Sequence, residues 1–127
     1  MIVEFQSKCA KYRERAILDA IFLAKDELMP RVRKLFINIR PIRNLTEKKG
    51  IHGDCMDEDD REFTIRLDIS LPLDDMITTV LHEMVHVKQY LYNEEMDRSL
   101  PYIERPYEIE AHAVEQQLKV KYDKRNR

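Results

Sequence analysis

Glycine is nearly missing from this chain. Gly50 and Gly53 are the only two among 127 residues, so there is no glycine-rich phosphate loop of the P-loop or GxGxxG kind. Cysteine is as scarce. Cys9 and Cys55 stand far apart and outside any CxxC pair, which predicts two ordinary small residues in a reduced compartment rather than a disulfide framework. No apolar run reaches the length of a membrane-spanning helix. The opening MIVEFQSKCAKYRER has no basic segment followed by a long apolar one, so no secretory leader is expected and a cytoplasmic location is. An excess of one charge is also lacking. The 22 basic and 24 acidic side chains leave a net charge of −2, a field that favours neither nucleic acid nor an anionic membrane as partner. Internal repeats and low-complexity linkers are absent.

What remains is 43% hydrophobic and 36% charged residues. This balance predicts one globular domain over residues 1–127, large enough to bury a core without staples. From Ser7 to Met29, Ala10, Ile17, Ile21, Ala24 and Leu28 recur at helical steps. Lys34 to Ile42 alternates as a strand, with Pro41 expected at its end. Gly50 to Met56 is either a short strand or a loop, and Asp57–Asp60 is expected to be an exposed turn. Glu62 to Ile69 alternates cleanly, with Phe63, Ile65, Leu67 and Ile69 on one face. A strongly apolar helix then spans Leu73 to Tyr92, with Asp74 and Asp75 at its positive end. After a loop, a last helix runs from Pro106 to about Lys121, and the tail YDKRNR is expected to fray. The order predicts an α+β domain: an N-terminal helix, a small three-stranded sheet, then two helices.

The apolar helix carries LHEMVHVKQY. His82 and His86 are one turn apart, about 40° around and about 6 Å along the axis, so two imidazoles can face one ion. Glu83 follows the first histidine and can reach a water on that ion rather than the ion itself. This is the HExxH pattern of zinc hydrolases. A catalytic zinc takes a third protein ligand and leaves a fourth place open. The last helix offers Glu108, Glu110, His112 and Glu115. Glu108 and His112 share a face and Glu110 points away from it, so the ligand comes from the Glu108/His112 face or Glu110 acts alone.

LHEMVHVKQY followed by YEIEAHA resembles the zincin metallopeptidases of the gluzincin type, in their minimal single-domain form. The resemblance covers residues 62–115 in motif and the chain in element order, and it implies a compact zincin-like core. It makes Glu108 the third zinc ligand beside His82 and His86, and Glu83 the catalytic base. It also gives His112 the task of supporting a motif histidine from behind. The family usually has Asp or Asn at that position, and a histidine there leaves His112 open as a ligand itself, with Glu110 and Glu104 as further alternatives. The implied activity is peptide-bond hydrolysis by attack of a zinc-bound water, with Glu83 as general base, on a peptide or protein substrate. Nickel, cobalt or manganese suit the same ligands. Resemblance to small repressor-cleaving metalloproteases adds a regulatory protein as possible partner. Zincins place an edge strand beside the metal cleft, a role expected of Glu62–Ile69. Tyr102, Tyr107 and His52 are candidate oxyanion donors, and Asp68 and Asp97 are further candidates to orient a histidine. Tyr90 is a candidate to line the cleft. Two other readings compete. One is a zinc-stabilised domain without catalysis. The other is a DNA-associated SprT-like protease, suggested by Lys119, Lys121, Lys124, Arg125 and Arg127.

Overall fold

The first strand comes before the first helix. The computed structural model describes residues 1–126 and runs β1 (Ile2–Phe5), α1 (Lys11–Leu28), β2 (Phe36–Ile42), α2 (Leu45–Lys49), β3 (Gly53–Asp59), β4 (Glu62–Asp68), α3 (Leu73–Leu91) and α4 (Pro106–Arg125), with one 3₁₀ turn at Tyr102–Glu104. The class is α+β. The strands form one mixed sheet in the order β1-β2-β4-β3. The β1/β2 and β2/β4 pairs are parallel, and β3 is antiparallel to β4. The sheet thus has four strands where the sequence predicts three. The extra strand, IVEF, is too short to show alternation. Its place is fixed by partners more than thirty residues away, from Ile2 opposite Phe36 to Phe5 opposite Ile39.

Two further expectations are corrected, while Pro41 stands near the end of β2 as expected, the sixth of its seven residues and opposite Leu67. Odd-numbered residues of β2 turn their backbone toward β1: Ile39 O accepts from Gln6 N at 2.8 Å and Pro41 O from Ser7 Oγ at 3.4 Å. Because β1 ends at Phe5, no ladder bond is lost at the proline. Asp57–Asp59 belong to β3 rather than to a turn, and only Asp60 and Arg61 connect it to β4. Glu62–Asp68 is an interior strand, so the edge beside the cleft is β3.

Phe63, Ile65 and Leu67 enter the core with Ile37 and Ile39 of β2 and Ile17, Ala20, Ile21 and Ala24 of α1. Helix α3 packs against α1, α4, β3 and β4 and buries Met76, Ile77, Val80, Leu81, Met84, Val85 and Val87. Its polar residues therefore have to find partners or face a cavity, because an unpaired buried polar group is costly. Helix α4 continues past the expected end. Tyr122 is buried in the core cluster, which holds the last turns in place as far as Arg125; Arg127, the end of the tail expected to fray, lies outside the described residues. No helix among the described residues is long and apolar enough to cross a membrane.

Two positions fix the cleft side of the sheet. A Cβ at Gly53 would stand 2.7 Å from Arg66 O and 2.9 Å from Thr79 Cγ2, so the absence of a side chain lets β3 approach α3. Gly53→Ala should cost about 1–3 kcal/mol by overpacking, read as a lower denaturant midpoint; a variant as stable as the wild type would show that β3 moves freely. At the end of β4, the buried Asp68 carboxylate accepts from Thr46 N at 2.9 Å, Thr46 Oγ1 at 2.7 Å and Ser70 N at 2.8 Å, fastening α2 to the sheet. Burial works to raise its pKa, but these hydrogen bonds outweigh it and lower the value. A carboxylate with a depressed folded pKa contributes stability above its unfolded value of about 3.9 and loses it as pH falls through the folded value. Asp68→Asn should therefore lower stability by about 1.5–3 kcal/mol at pH 7. The gap in thermal midpoint to the wild type should narrow toward pH 3, and a gap independent of pH would refute the charge-based account.

Candidate metal centre

Helix α3 turns His82 and His86 toward the first turn of α4, where Glu108 sits. His82 Nε2 and Glu108 Oε1 are 3.0 Å apart, His86 Nε2 and Glu108 Oε1 2.9 Å, and the two Nε2 atoms 3.1 Å. All three residues are buried. Four ligands around a tetrahedral zinc with bonds of about 2.0–2.1 Å stand about 3.3 Å from one another. The triangle needs to widen by only a few tenths of an ångström to take such an ion.

The imidazoles are aimed from behind. His82 Nδ1 lies 2.8 Å from Glu115 Oε1, and His86 Nδ1 lies 2.7 Å from Gln89 Oε1. Gln89 is fully buried, and its Nε2 donates to Tyr107 O and Glu110 Oε1, both at 2.9 Å. Its oxygen is therefore the atom left to face His86, and His86 Nδ1 must carry the hydrogen. That places the lone pair of His86 on Nε2, inside the triangle. Partners of this kind fix tautomer and orientation at metal sites.

With lone pairs and a carboxylate oxygen this close, the triangle calls for a cation. In the metal-free chain a proton supplies it. Burial disfavours charge on His82, but hydrogen bonds to Glu108 and Glu115 and the charge of Glu83 push its pKa up to about 10. Burial also opposes the Glu108 charge, yet the two imidazoles hold its carboxyl well below the usual range.

Glu83 stands apart from the triangle. It is buried, and among the described residues nothing hydrogen-bonds its carboxylate, although no fully enclosed polar atom lacks a partner. Its oxygens therefore open into the cleft that it lines. Burial, with the charges of Glu108 and Asp54, pushes its pKa up to about 7 against the pull of the two imidazoles. Cys55 lies on the opposite wall; burial and the Glu83 charge push its thiol far up. Both cysteines are free.

The cleft is about 870 Å³ and has His82, Glu83, His86 and Glu108 on its floor, Gly50–Cys55 on one side, and Tyr102, Arg105 and Tyr107 on the other. No family model, curated protein or solved structure matches the chain.

Other candidates fall into different places. His112 has a donor atom within 4.8 Å of those of His82 and Glu108, so two overlapping sets share those residues. In the set with His86 the three atoms stand 2.9–3.1 Å apart, and both His112 nitrogens have other partners: Nδ1 with Glu115 Oε1 at 2.9 Å and Nε2 with Tyr102 Oη at 3.2 Å. The His112 ring also packs against that of His82, with centroids 4.5 Å apart, and its hydrogen-bonded link to His82 runs through Glu115. Glu110 holds Gln89, and Glu104 is exposed on the 3₁₀ turn. Asp68 and Asp97 touch neither motif histidine; Asp97 bonds Ser99 N at 2.8 Å. Tyr102, Tyr107, His52 and Tyr90 all line the cleft. Burial and then the adjacent Glu108 carboxylate push the Tyr102 hydroxyl up to about 12, so it remains a donor. Among the basic residues of α4, Lys119 pairs with Asp123 at 2.7 Å and Asp74 at 3.3 Å, and Lys121 with Glu27 at 2.7 Å.

Sequence reasoning missed what Gln89 and Glu115 do. Gln89 is three residues after His86, and Glu115 is seven after Glu108, two turns along the same face. That spacing was the available signal.

Proposed function

We propose that the protein is a zinc-dependent peptidase of zincin type. The observation that carries this reading is the triangle of His82 Nε2, His86 Nε2 and Glu108 Oε1, braced by Glu115 and Gln89, with the unpartnered Glu83 carboxylate beside it. Zinc held by these three side chains would polarise a carbonyl oxygen and lower the pKa of water from 15.7 toward about 7. Glu83 takes the proton from the attacking water and returns it to the leaving nitrogen. Tyr102, with its hydroxyl beside Glu108, is the candidate donor to the developing oxyanion. An extended peptide can add to the free edge of β3 and lie across the cleft.

A zinc site that only stabilises the fold has no use for Glu83, a buried carboxylate that nothing among the described residues hydrogen-bonds. Of the basic residues behind the DNA-associated reading, Lys119 and Lys121 are paired with acidic side chains. The test is zinc titration of metal-free protein, with cleavage of an unfolded protein substrate followed in parallel. One zinc per chain and chelator-reversible cleavage are the expected results. No uptake, or full uptake without cleavage, overturns the reading.

A further inference from the structure

Beyond His86 the cleft wall carries a second polar cluster that the hydrolytic step does not use. Arg98 Nη2 donates to the Tyr90 hydroxyl at 2.9 Å, and Arg105 Nη1 to the Tyr107 hydroxyl at 3.4 Å. The Tyr107 ring stands 5.7 Å from the ring of His86. All four residues line the same cavity, with Met96 adding apolar surface.

The two arginines are held differently. Arg105 directs Nε to Leu100 O at 2.9 Å and Nη2 to Arg98 O at 3.3 Å, so it ties the segment before α4 together. Arg98 is exposed; its guanidinium donates to the Tyr90 hydroxyl and lies beside that of Tyr107. Neither guanidinium forms an ion pair among the described residues. The nearby acidic groups have other partners: Glu94 pairs with Lys88 at 2.9 Å, and Asp97 accepts from Ser99 N.

A guanidinium with free donors, steadied by a phenol on a largely apolar wall, is suited to grip a carboxylate through two parallel hydrogen bonds. We infer that Arg98, positioned by Tyr90 and backed by Arg105, forms a carboxylate-binding subsite that selects peptides carrying a negative charge close to the bond held over the His82–His86–Glu108 triangle. Through Tyr107, whose ring is 5.7 Å from that of His86 and whose hydroxyl faces Arg105, the cluster lies along the same cleft a few residues of extended chain from the triangle, at about 3.3–3.6 Å each. Either an acidic side chain or a chain-terminal carboxylate meets this requirement. The inference rests on the peptidase reading for its substrate class.

Binding to the zinc-loaded Glu83→Gln protein tests it without relying on turnover. The probes are dye-labelled short peptides, amidated, with Glu, Gln or Leu at one central position, and a Leu peptide with a free terminal carboxylate, followed by fluorescence polarisation. At least one carboxylate-bearing peptide should bind about tenfold more tightly than its neutral match, which is about 1.4 kcal/mol. A preference for the Glu peptide assigns the subsite to a side chain, and a preference for the free terminus assigns it to chain ends. Arg98→Met should bring the preference within about twofold and Arg98→Lys should keep part of it, since an ammonium has charge without the fork. Equal affinities, a preference that survives Arg98→Met, or no binding by any probe overturns the inference. Hydrolysis by the wild type is measured separately: cleavage without a carboxylate preference removes only the subsite, and a preference without cleavage removes only the peptidase reading.

Discussion

Glu83→Gln should lower the rate of peptide hydrolysis by about 10²–10⁴-fold while leaving zinc binding intact. Glutamine has nearly the same shape but cannot take a proton from water or hand one on. Glu83 lies outside the triangle and hydrogen-bonds none of its members, so the metal should not notice the change. The variant also removes a buried charge that has no hydrogen-bond partner among the described residues. Its metal-free form should therefore melt at the same temperature as the wild type or higher. The measurements are kcat on a peptide substrate, zinc content and thermal midpoint, taken on one preparation. Undiminished hydrolysis would mean that another group moves the proton. Lost zinc would mean that Glu83 belongs to the ligand set.

Glu108→Ala should abolish zinc uptake under conditions where His112→Ala retains it. Glu108 Oε1 touches both motif histidines at 2.9–3.0 Å, whereas His112 is turned to Glu115 and Tyr102. Loss of a ligand should exceed the roughly 10–100-fold loss in affinity expected when an orienting partner such as Gln89 or Glu115 is removed. Zinc at about a thousand times its Kd stabilises the folded chain by about 4.1 kcal/mol. The clean readout is therefore the rise in thermal midpoint on adding zinc, compared within each variant. Glu108→Ala should show no rise, Gln89→Ala a smaller one, and His112→Ala nearly the full one. If His112→Ala loses the rise and Glu108→Ala keeps it, the third ligand is the histidine. The comparison within each variant matters because Glu108→Ala also strips a carboxylate from two buried imidazoles and destabilises the metal-free protein.

Much of the local structure was legible before any coordinates. The Leu73–Leu91 helix shows itself by continuous helical periodicity, and Glu62–Asp68 by clean alternation. These patterns depend only on neighbours in the chain. The errors share one cause. The strand at Ile2–Phe5, the inclusion of Asp57–Asp59 in β3 and the persistence of α4 through Tyr122 all depend on distant partners. Four residues of IVEF become a strand because β2 offers them a ladder. Tyr122 stays helical because the core holds its ring. Pro41, next to last in β2, is tolerated because β1 stops short of it.

The sequence by itself determined that His82 and His86 share one face of an apolar helix and that Glu83 points elsewhere, because helical geometry fixes directions over one turn. It also named Glu108, His112, Glu110 and Glu104 as the candidates for a third ligand. Only the tertiary structure decided that Glu108 Oε1 comes within 3.0 Å of both histidine nitrogens, that Glu115 and Gln89 orient the rings, and that β3 rather than β4 borders the cleft. Helical periodicity gives the bearing of a side chain around its own axis. The distance between α3 and α4, and the strand that closes the sheet, are set by how the core packs, which no local pattern encodes.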